Sequence, residues 1–198
     1  MWARAVRCYS VDVTNPAYRL LDAEEFFEID FGAERKAELD QGVIRMMAGG
    51  TRAHARVQAN LLAWLRQALR GSGRRPYGSD MAFKTGRLSV RYPDVSVVCG
   101  DSAAAEDDDR VSFDHASAVF ELLSPSTVEY DQTVKLREYQ QIEAMQTIVL
   151  LDPESEQVRI VQRLGPQSWR DDTLPGPVDV ARPALGLTIP HAEIFSRD

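Results

Sequence analysis

Cysteine is nearly absent from this 198-residue chain: Cys8 and Cys99 are the only two. They form no metal-ligand spacing, and two cysteines cannot build a disulfide framework. Histidine is also scarce, with three residues. A thiolate- or imidazole-rich metal site is therefore not the expectation. Long apolar runs are missing too: none approaches the roughly 20 residues that span a bilayer. The opening MWARAVRCYS lacks the apolar core of a secretory signal. With no such signal and two cysteines, the expectation is free thiols in a reducing cytoplasm. There is no internal repeat and no long low-complexity tract. Positive charge is in deficit, with a formal net charge of −7. That argues against a protein coated with basic residues for indiscriminate nucleic-acid binding.

What is present reads as an ordinary globular chain, 44% hydrophobic and 27% charged. Its length suits one compact domain, expected over residues 1–198. The charges are segregated. Arg52, Arg56, Arg66, Arg70, Arg74 and Arg75 follow one another with no acid between them. Asp101, Glu106, Asp107, Asp108, Asp109 and Asp114 then face only Arg110. Two solvated surfaces or a local basic groove account equally for this pattern.

Leu21–Ile29 predicts a short helix, with Asp22 as N-cap and Glu25 at capping-box spacing. Residues 37–50, AELDQGVIRMMAGG, predict two strands turning at Gln41-Gly42. Thr51 caps a helix on which Val57, Leu61, Leu62, Leu65 and Leu69 recur at helical spacing, and Gly71-Ser72-Gly73 stops it. Tyr77–Lys84 is a candidate strand. Leu88–Cys99 is a second, interrupted at Pro93. Gly100–His115 predicts an exposed loop. Ala118–Leu123 is a strand, and Asp131–Ala144 a helix that packs through Val134, Leu136 and Ile142. Gln146–Leu151 reads as a central strand and Val158–Arg163 as an alternating one. Short strands at 178–180 and 185–189 and a last helical turn at His191–Phe195 complete the series. The order implies the α/β or α+β class, a mixed sheet flanked by helices.

One feature of this framework is out of place. Glu121 sits inside the apolar strand AVFELL, and a lone buried carboxylate is costly unless it is neutralised or paired. Asp94 follows Pro93 and precedes Val95-Ser96-Val97-Val98. If those two strands pair, alternation projects Asp94 and Glu121 to the same side. Adjacent carboxylates repel unless a proton or a cation lies between them. Oxygen donors without Cys or His suit Mg²⁺ or Mn²⁺. Lys135 lies one helical turn before Tyr139 and one turn after Asp131, so all three share a helix face. Residue by residue, structural roles stay open: Glu121 as a buried acid held by an arginine or backbone donors, Asp94 as a turn residue, and Lys135 as a solvated lysine. Glu38 is equally open as a surface acid, and His54 as a capping or core residue. Ser124, at a strand end, reads as a turn and helix cap rather than a nucleophile.

Taken together, these motifs resemble the Uma-type restriction endonucleases of the PD-(D/E)xK nuclease superfamily. The resemblance runs from about Leu20 to Leu164. It is carried by Glu38-Leu39 with Gly42, His54, Arg91-Tyr92-Pro93-Asp94-Val95, Phe120–Thr127, Asp131 with Lys135 and Tyr139, and Leu151-Asp152-Pro153. The family's hairpin usually reads Glu-Leu-x-Asp-Gly-Glu; here Gln41 and Val43 replace its second and third acids.

The resemblance implies a restriction-endonuclease-like core and Mg²⁺-dependent (or Mn²⁺-dependent) hydrolysis of nucleic-acid phosphodiesters, with DNA as the expected partner. It implies Asp94, Glu121 and Glu38 as metal ligands, and Asp94, Glu121 and Lys135 as the catalytic group. Lys135 stands for the superfamily lysine, displaced from position 123 to the following helix. Arg52, His54, Arg56 and Tyr139 are the candidate substrate contacts. The rival reading is a binding module that keeps the nuclease fold without turnover. A third is an assembly protein that forms a homodimer through its β-rich C-terminal part.

Overall fold

The computed structural model describes residues 19–32, 36–100, 109–125, 128–182 and 185–197. Cys8 and most of the acidic run after Gly100 lie outside them. Helix α1 (Ala23–Phe27) opens the described chain with the expected capping box: Asp22 accepts from the Glu25 amide, and Glu25 accepts from the Asp22 amide. Strands β1 (Ala37–Asp40) and β2 (Val43–Met46) form the expected hairpin. Its turn holds Gln41 and Gly42 at φ 49° and 83°. Both central residues of a tight two-residue hairpin need positive φ, so Gly42 is well suited there. A Cβ on Gly42 would also come within 2.5 Å of Leu20.

Helix α2 (Arg52–Ala68) starts at Thr51, whose hydroxyl accepts from the His54 amide. The chain then makes β3 (Arg74–Gly78), β4 (Ala82–Gly86), β5 (Ser89–Arg91) and β6 (Val95–Cys99). This corrects the single strand expected at Tyr77–Lys84, which is broken at residues 79–81, while Leu88–Cys99 is interrupted at Pro93 as expected; in both cases the two halves lie in different sheets. Periodicity within a strand carries no information about a change of sheet, but the proline did mark one of the two breaks. Strand β7 (Ser112–Phe113) lies in the stretch expected to be an exposed loop. It pairs with β4 and buries Phe113.

After β8 (Ala118–Leu122) the helical stretch starts and ends earlier than the expected Asp131–Ala144 and has three parts: α3 (Val128–Tyr130), a π-helical turn over Asp131–Lys135, and α4 (Leu136–Gln140). Val134 does not pack as expected and is 40% exposed, whereas Leu136 is buried. The chain ends in β9 (Thr147–Leu151), β10 (Val158–Gly165), β11 (Ser168–Leu174), β12 (Val180–Arg182), β13 (Leu187–Ile189) and α5 (His191–Phe195).

The main sheet has the order β11-β10-β9-β8-β6-β3, parallel only between β8 and β9. A second sheet has the order β2-β1-β5-β4-β7, and β12 pairs with β13. The expected mixed α/β architecture is thus present. The apolar stripe of α2 covers one face of the main sheet. Val57, Leu61 and Leu65 are fully buried there against Val95, Val97, Phe120 and Val149. On the opposite face, Val98, Val119, Ile148 and Val161 meet Leu136, Tyr139 and Phe83. Strand alternation divides β8 between the two cores: Phe120 and Leu122 point toward α2, and Glu121 points toward α4. Each fully buried Leu or Val contributes about 1.5–3 kcal/mol of transfer free energy. These cores therefore pin β6, β8, α2 and α4 in register around the polar residues among them. No helix among the described residues is long and apolar enough to cross a membrane.

Candidate active site

The register between β6 and β8 brings the two key acids together. Val95 stands opposite Phe120 and Ser96 opposite Val119. Extending that register by one step sets Asp94 opposite Glu121, and both line one cavity. Asp94 is then fixed from three sides. Its Oδ2 accepts from the Leu122 amide at 2.8 Å, its Oδ1 lies 2.8 Å from His54 Nε2, and its own carbonyl accepts from the Gln58 side chain at 2.8 Å. Two successive turns of α2 thus reach the end of β6. Gly50 allows this: a Cβ there would come within 2.8 Å of the His54 ring. The Asp94 hydrogen bond, against the effect of burial, raises the pKa of His54 above the ordinary histidine value.

Glu121 is 3% exposed. Tyr139 donates to its Oε1 at 2.6 Å and Lys135 Nζ lies 3.5 Å from the same atom. Its Oε2 takes no hydrogen bond from the described residues. Lys135, 7% exposed, also reaches Glu38 Oε1 at 3.1 Å and Asp131 Oδ1 at 3.3 Å. The π-helical turn carries Asp131 and Lys135 inward together, as the i, i+4 reading anticipated; π-turns of this kind recur at functional sites. Burial, followed by the charges of Asp131, Asp94 and Glu38, pushes the Glu121 carboxyl up to about 8 against the opposing pull of Lys135. Burial works against the Lys135 charge, but Glu121, Glu38 and Asp131 override it and hold its pKa above the lysine range. One ammonium is thus shared by three carboxylates, while the fourth acid, Asp94, is held by His54.

A second charged knot adjoins the first. Arg91 is fully buried. It donates to Asp40 at 2.8 Å and to Glu138 from Nε at 3.1 Å, and lies 3.6 Å from Glu38 Oε2. Arg91 thereby ties β1, β5 and α4 together, one residue before Tyr139. The sequence marks Arg91 only as part of the Arg91-Tyr92-Pro93-Asp94-Val95 motif and does not reveal this role. Its signal is an arginine next to Val90 and directly before Tyr92-Pro93-Asp94.

Glu38, Asp94, Glu121, Asp131 and Lys135 line one cavity of about 270 Å³ together with His54 and Arg45. Of the expected substrate contacts, only His54 lines it. Arg52, at the first turn of α2, does not. Arg56 is turned away and donates to the Phe195 carbonyl at 2.8 Å. Tyr139 is fully buried, stacked on Phe83 behind Glu121. That position corrects the expectation of a substrate contact: the ring has no surface to offer, because the apolar face of α4 carries it into the core.

The donor set is chemically suited to a hard cation, being carboxylate oxygens with no thiolate. Among the described residues no group of three His, Cys, Asp or Glu side chains converges closely enough to hold a metal ion. Glu38 is turned instead toward Lys135 and Arg91. Glu121, with its Oε2 open, and Asp94 line the same cavity. Such a two-carboxylate pair fits Mg²⁺, which keeps several waters and takes further ligands from substrate phosphate.

Comparison with known proteins gives this chain a family, two relatives and a shared fold. The model of the Uma2 family, described as putative restriction endonuclease, matches residues 23–191. Two Synechocystis sp. PCC 6803 proteins are similar, uncharacterized protein sll1609 and uncharacterized protein slr1290. The first is 28% identical over 152 residues, covering 76% of this chain and 85% of its own length. The second is 27% identical over 153 residues, covering 75% and 77%. A crystal structure from Anabaena variabilis ATCC 29413, described as a putative nuclease belonging to DUF820, shares the fold. Its TM-score is 0.73 at 18% identity, over 89% of this chain and 98% of that one.

Proposed function

We propose, from the premise that this chain belongs to the Uma2 family of restriction-endonuclease-like proteins, that it is a metal-dependent endonuclease acting on DNA. One observation carries the reading. Asp94, Glu121, Glu38 and Lys135, contributed by separate elements of two sheets and a helix, line a single cavity. Asp94 and Glu121 are the residues that would hold Mg²⁺ or Mn²⁺, with Glu38 the third acid of the group. When bound, the cation would supply charge for the scissile phosphate and lower the pKa of a water.

The protein's own groups have distinct tasks in this reading. The Leu122 amide and His54 keep Asp94 aimed at the cavity. Tyr139 donates to Glu121 Oε1 and so leaves Oε2 available to a ligand. Lys135, held charged by its three acids, orients the attacking water and stabilises the negative charge that grows on the phosphoryl oxygens. Glu38 and Asp131 fix that ammonium from either side. Burial of the group limits rearrangement of these charges during reaction, which favours the transition state over the ground state.

The direct test is nicking of a supercoiled plasmid in Mg²⁺ and in Mn²⁺. Wild-type protein nicks it, and Asp94→Asn and Glu121→Gln lose activity by about 10²–10³-fold, the scale of removing one major electrostatic contributor, with circular dichroism unchanged. Full activity in both variants contradicts the site.

A second reading is a binding module that keeps the fold without turnover. It is favoured by the neutralised Glu38 and by the lack of a three-acid metal group among the described residues. It predicts DNA binding that is indifferent to Asp94→Asn and no nicking with either metal.

A further inference from the structure

The cavity described above is anionic, yet the proposed substrate is a polyanion. Glu38, Asp94, Glu121 and Asp131 face it together. Its cations are unequal in what they have left to offer. Lys135 is buried and shared among three carboxylates at 3.1, 3.3 and 3.5 Å. His54 is engaged by Asp94 at 2.8 Å. Arg45 differs from both. Its side chain is 47% exposed, and its nearest carboxylate, Asp40, is 4.0 Å away. Asp40 already accepts from Arg91 at 2.8 Å, so its charge is met without Arg45.

Placement and orientation add to this. Arg45 pairs directly opposite Glu38 across the β1–β2 hairpin. Residues opposed in an antiparallel pair project to the same face about 5 Å apart. The strand register therefore sets the guanidinium beside the acid cluster, at its open side. The guanidinium lies over the Tyr130 ring at 3.8 Å, which fixes its plane in advance and leaves its N–H fork free for an oxyanion pair. Met46, the next residue on β2, is 53% exposed and lines the same opening.

We propose that Arg45 is a substrate-binding residue of this cavity: its guanidinium, stacked on Tyr130, receives a backbone phosphate of the nucleic acid next to the one that enters the acid cluster. This rests on the nuclease reading above and adds to it the arm that admits the polyanion. A fork on a planar support grips a phosphate in two places, where a lysine would provide only a point charge.

The experiment is fluorescence anisotropy with a fluorescein-labelled 20-base-pair DNA duplex, with and without MgCl₂, over a series of NaCl concentrations. A gel verifies that the probe is intact at each reading. The proteins are wild type, Arg45→Gln and Arg45→Lys, with melting temperatures measured alongside. Arg45→Gln is expected to weaken binding about tenfold. It should also flatten the dependence of log K on log salt by about 0.9, the effect of one phosphate contact on duplex DNA. Arg45→Lys should keep the salt slope yet bind several-fold more weakly than wild type. Melting temperatures should stay together.

Equal affinity and equal slope in Arg45→Gln overturn the assignment while leaving the nuclease reading intact. A lowered melting temperature with an unchanged slope also overturns it, since Arg45 would then serve the hairpin alone. Loss of affinity and slope in Arg45→Gln, from a wild type that binds but never nicks plasmid, upholds Arg45 and removes the catalytic reading. No binding by wild type overturns both.

Discussion

Lys135 and Arg91 sit in neighbouring charged clusters that share Glu38, and the two clusters are built to different ends. Arg91 meets Asp40, Glu138 and Glu38 with a planar fork and is fully buried. Carboxylates from β1 and α4 close around it, and it lines no part of the cavity. Lys135 also meets three carboxylates, but this group opens onto the cavity, which Asp94 lines as well. The first cluster holds β1, β5 and α4 in place. In the second, burial first and then the charges of Asp131, Asp94 and Glu38 outweigh the pull of Lys135 and push the Glu121 carboxyl up to about 8. Buried ion pairs are poor evidence of stability by themselves; here the difference in closure separates a staple from a site. Glu38 couples them, so the arginine knot sets where the lysine can stand.

The largest effect should come from breaking the closed cluster. Arg91→Met leaves the charges of Asp40, Glu138 and Glu38 without their cation. We expect a loss of about 3–5 kcal/mol in urea unfolding, the usual cost of removing one partner of a buried pair. A loss below about 1 kcal/mol would mean that the knot is not the staple described.

Titration of the open cluster should come next. Below about 4.5, its ordinary value, the Glu121 carboxyl is protonated in both the folded and unfolded chains. Between there and about 8 the folded chain keeps a proton that the unfolded chain has released. Stability of the metal-free protein must therefore fall as pH rises through that window, and flatten above it. Glu121→Gln removes that contribution. Its melting temperature should decline less than that of wild type between pH 5 and 8; parallel curves would contradict the frustrated carboxylate.

A smaller change should follow Tyr139→Phe. It deletes the 2.6 Å hydrogen bond to Glu121 while keeping the ring on Phe83. The expected stability change is within about 0.5–1.5 kcal/mol, with nicking reduced because Oε1 is no longer held. Unchanged nicking would show that Tyr139 only packs. The smallest effect belongs to neither cluster. The half-exposed pair Arg159–Asp171 on the β10–β11 hairpin, 2.7 Å apart, should contribute less than about 1 kcal/mol by double-mutant cycle.

Much of this arrangement was legible in the sequence because it depends on local periodicity. The period-two pattern of β8 and the Pro-Asp entry to β6 suffice to place Asp94 and Glu121 on one side, and the register agrees. The i, i+4 spacing likewise put Asp131, Lys135 and Tyr139 on one helix face, although the turn between the first two is π-helical. What the sequence concealed is non-local. The changes of sheet at 79–81 and at Pro93 depend on which partner each half-strand finds. Arg56 reads as a free cation until α5 supplies carbonyls for it. Nothing in the local pattern singles out Arg45, which only the hairpin register sets opposite Glu38.

The central claim is that Asp94 and Glu121 hold one divalent cation between them. Its most direct measurement is calorimetric titration of Mn²⁺ into wild type and Glu121→Gln, each alone and with a DNA duplex. The account predicts binding by wild type, strengthened by the duplex phosphates, and its loss in Glu121→Gln under both conditions. Equal binding by the two proteins, or none by wild type even with DNA present, would contradict it.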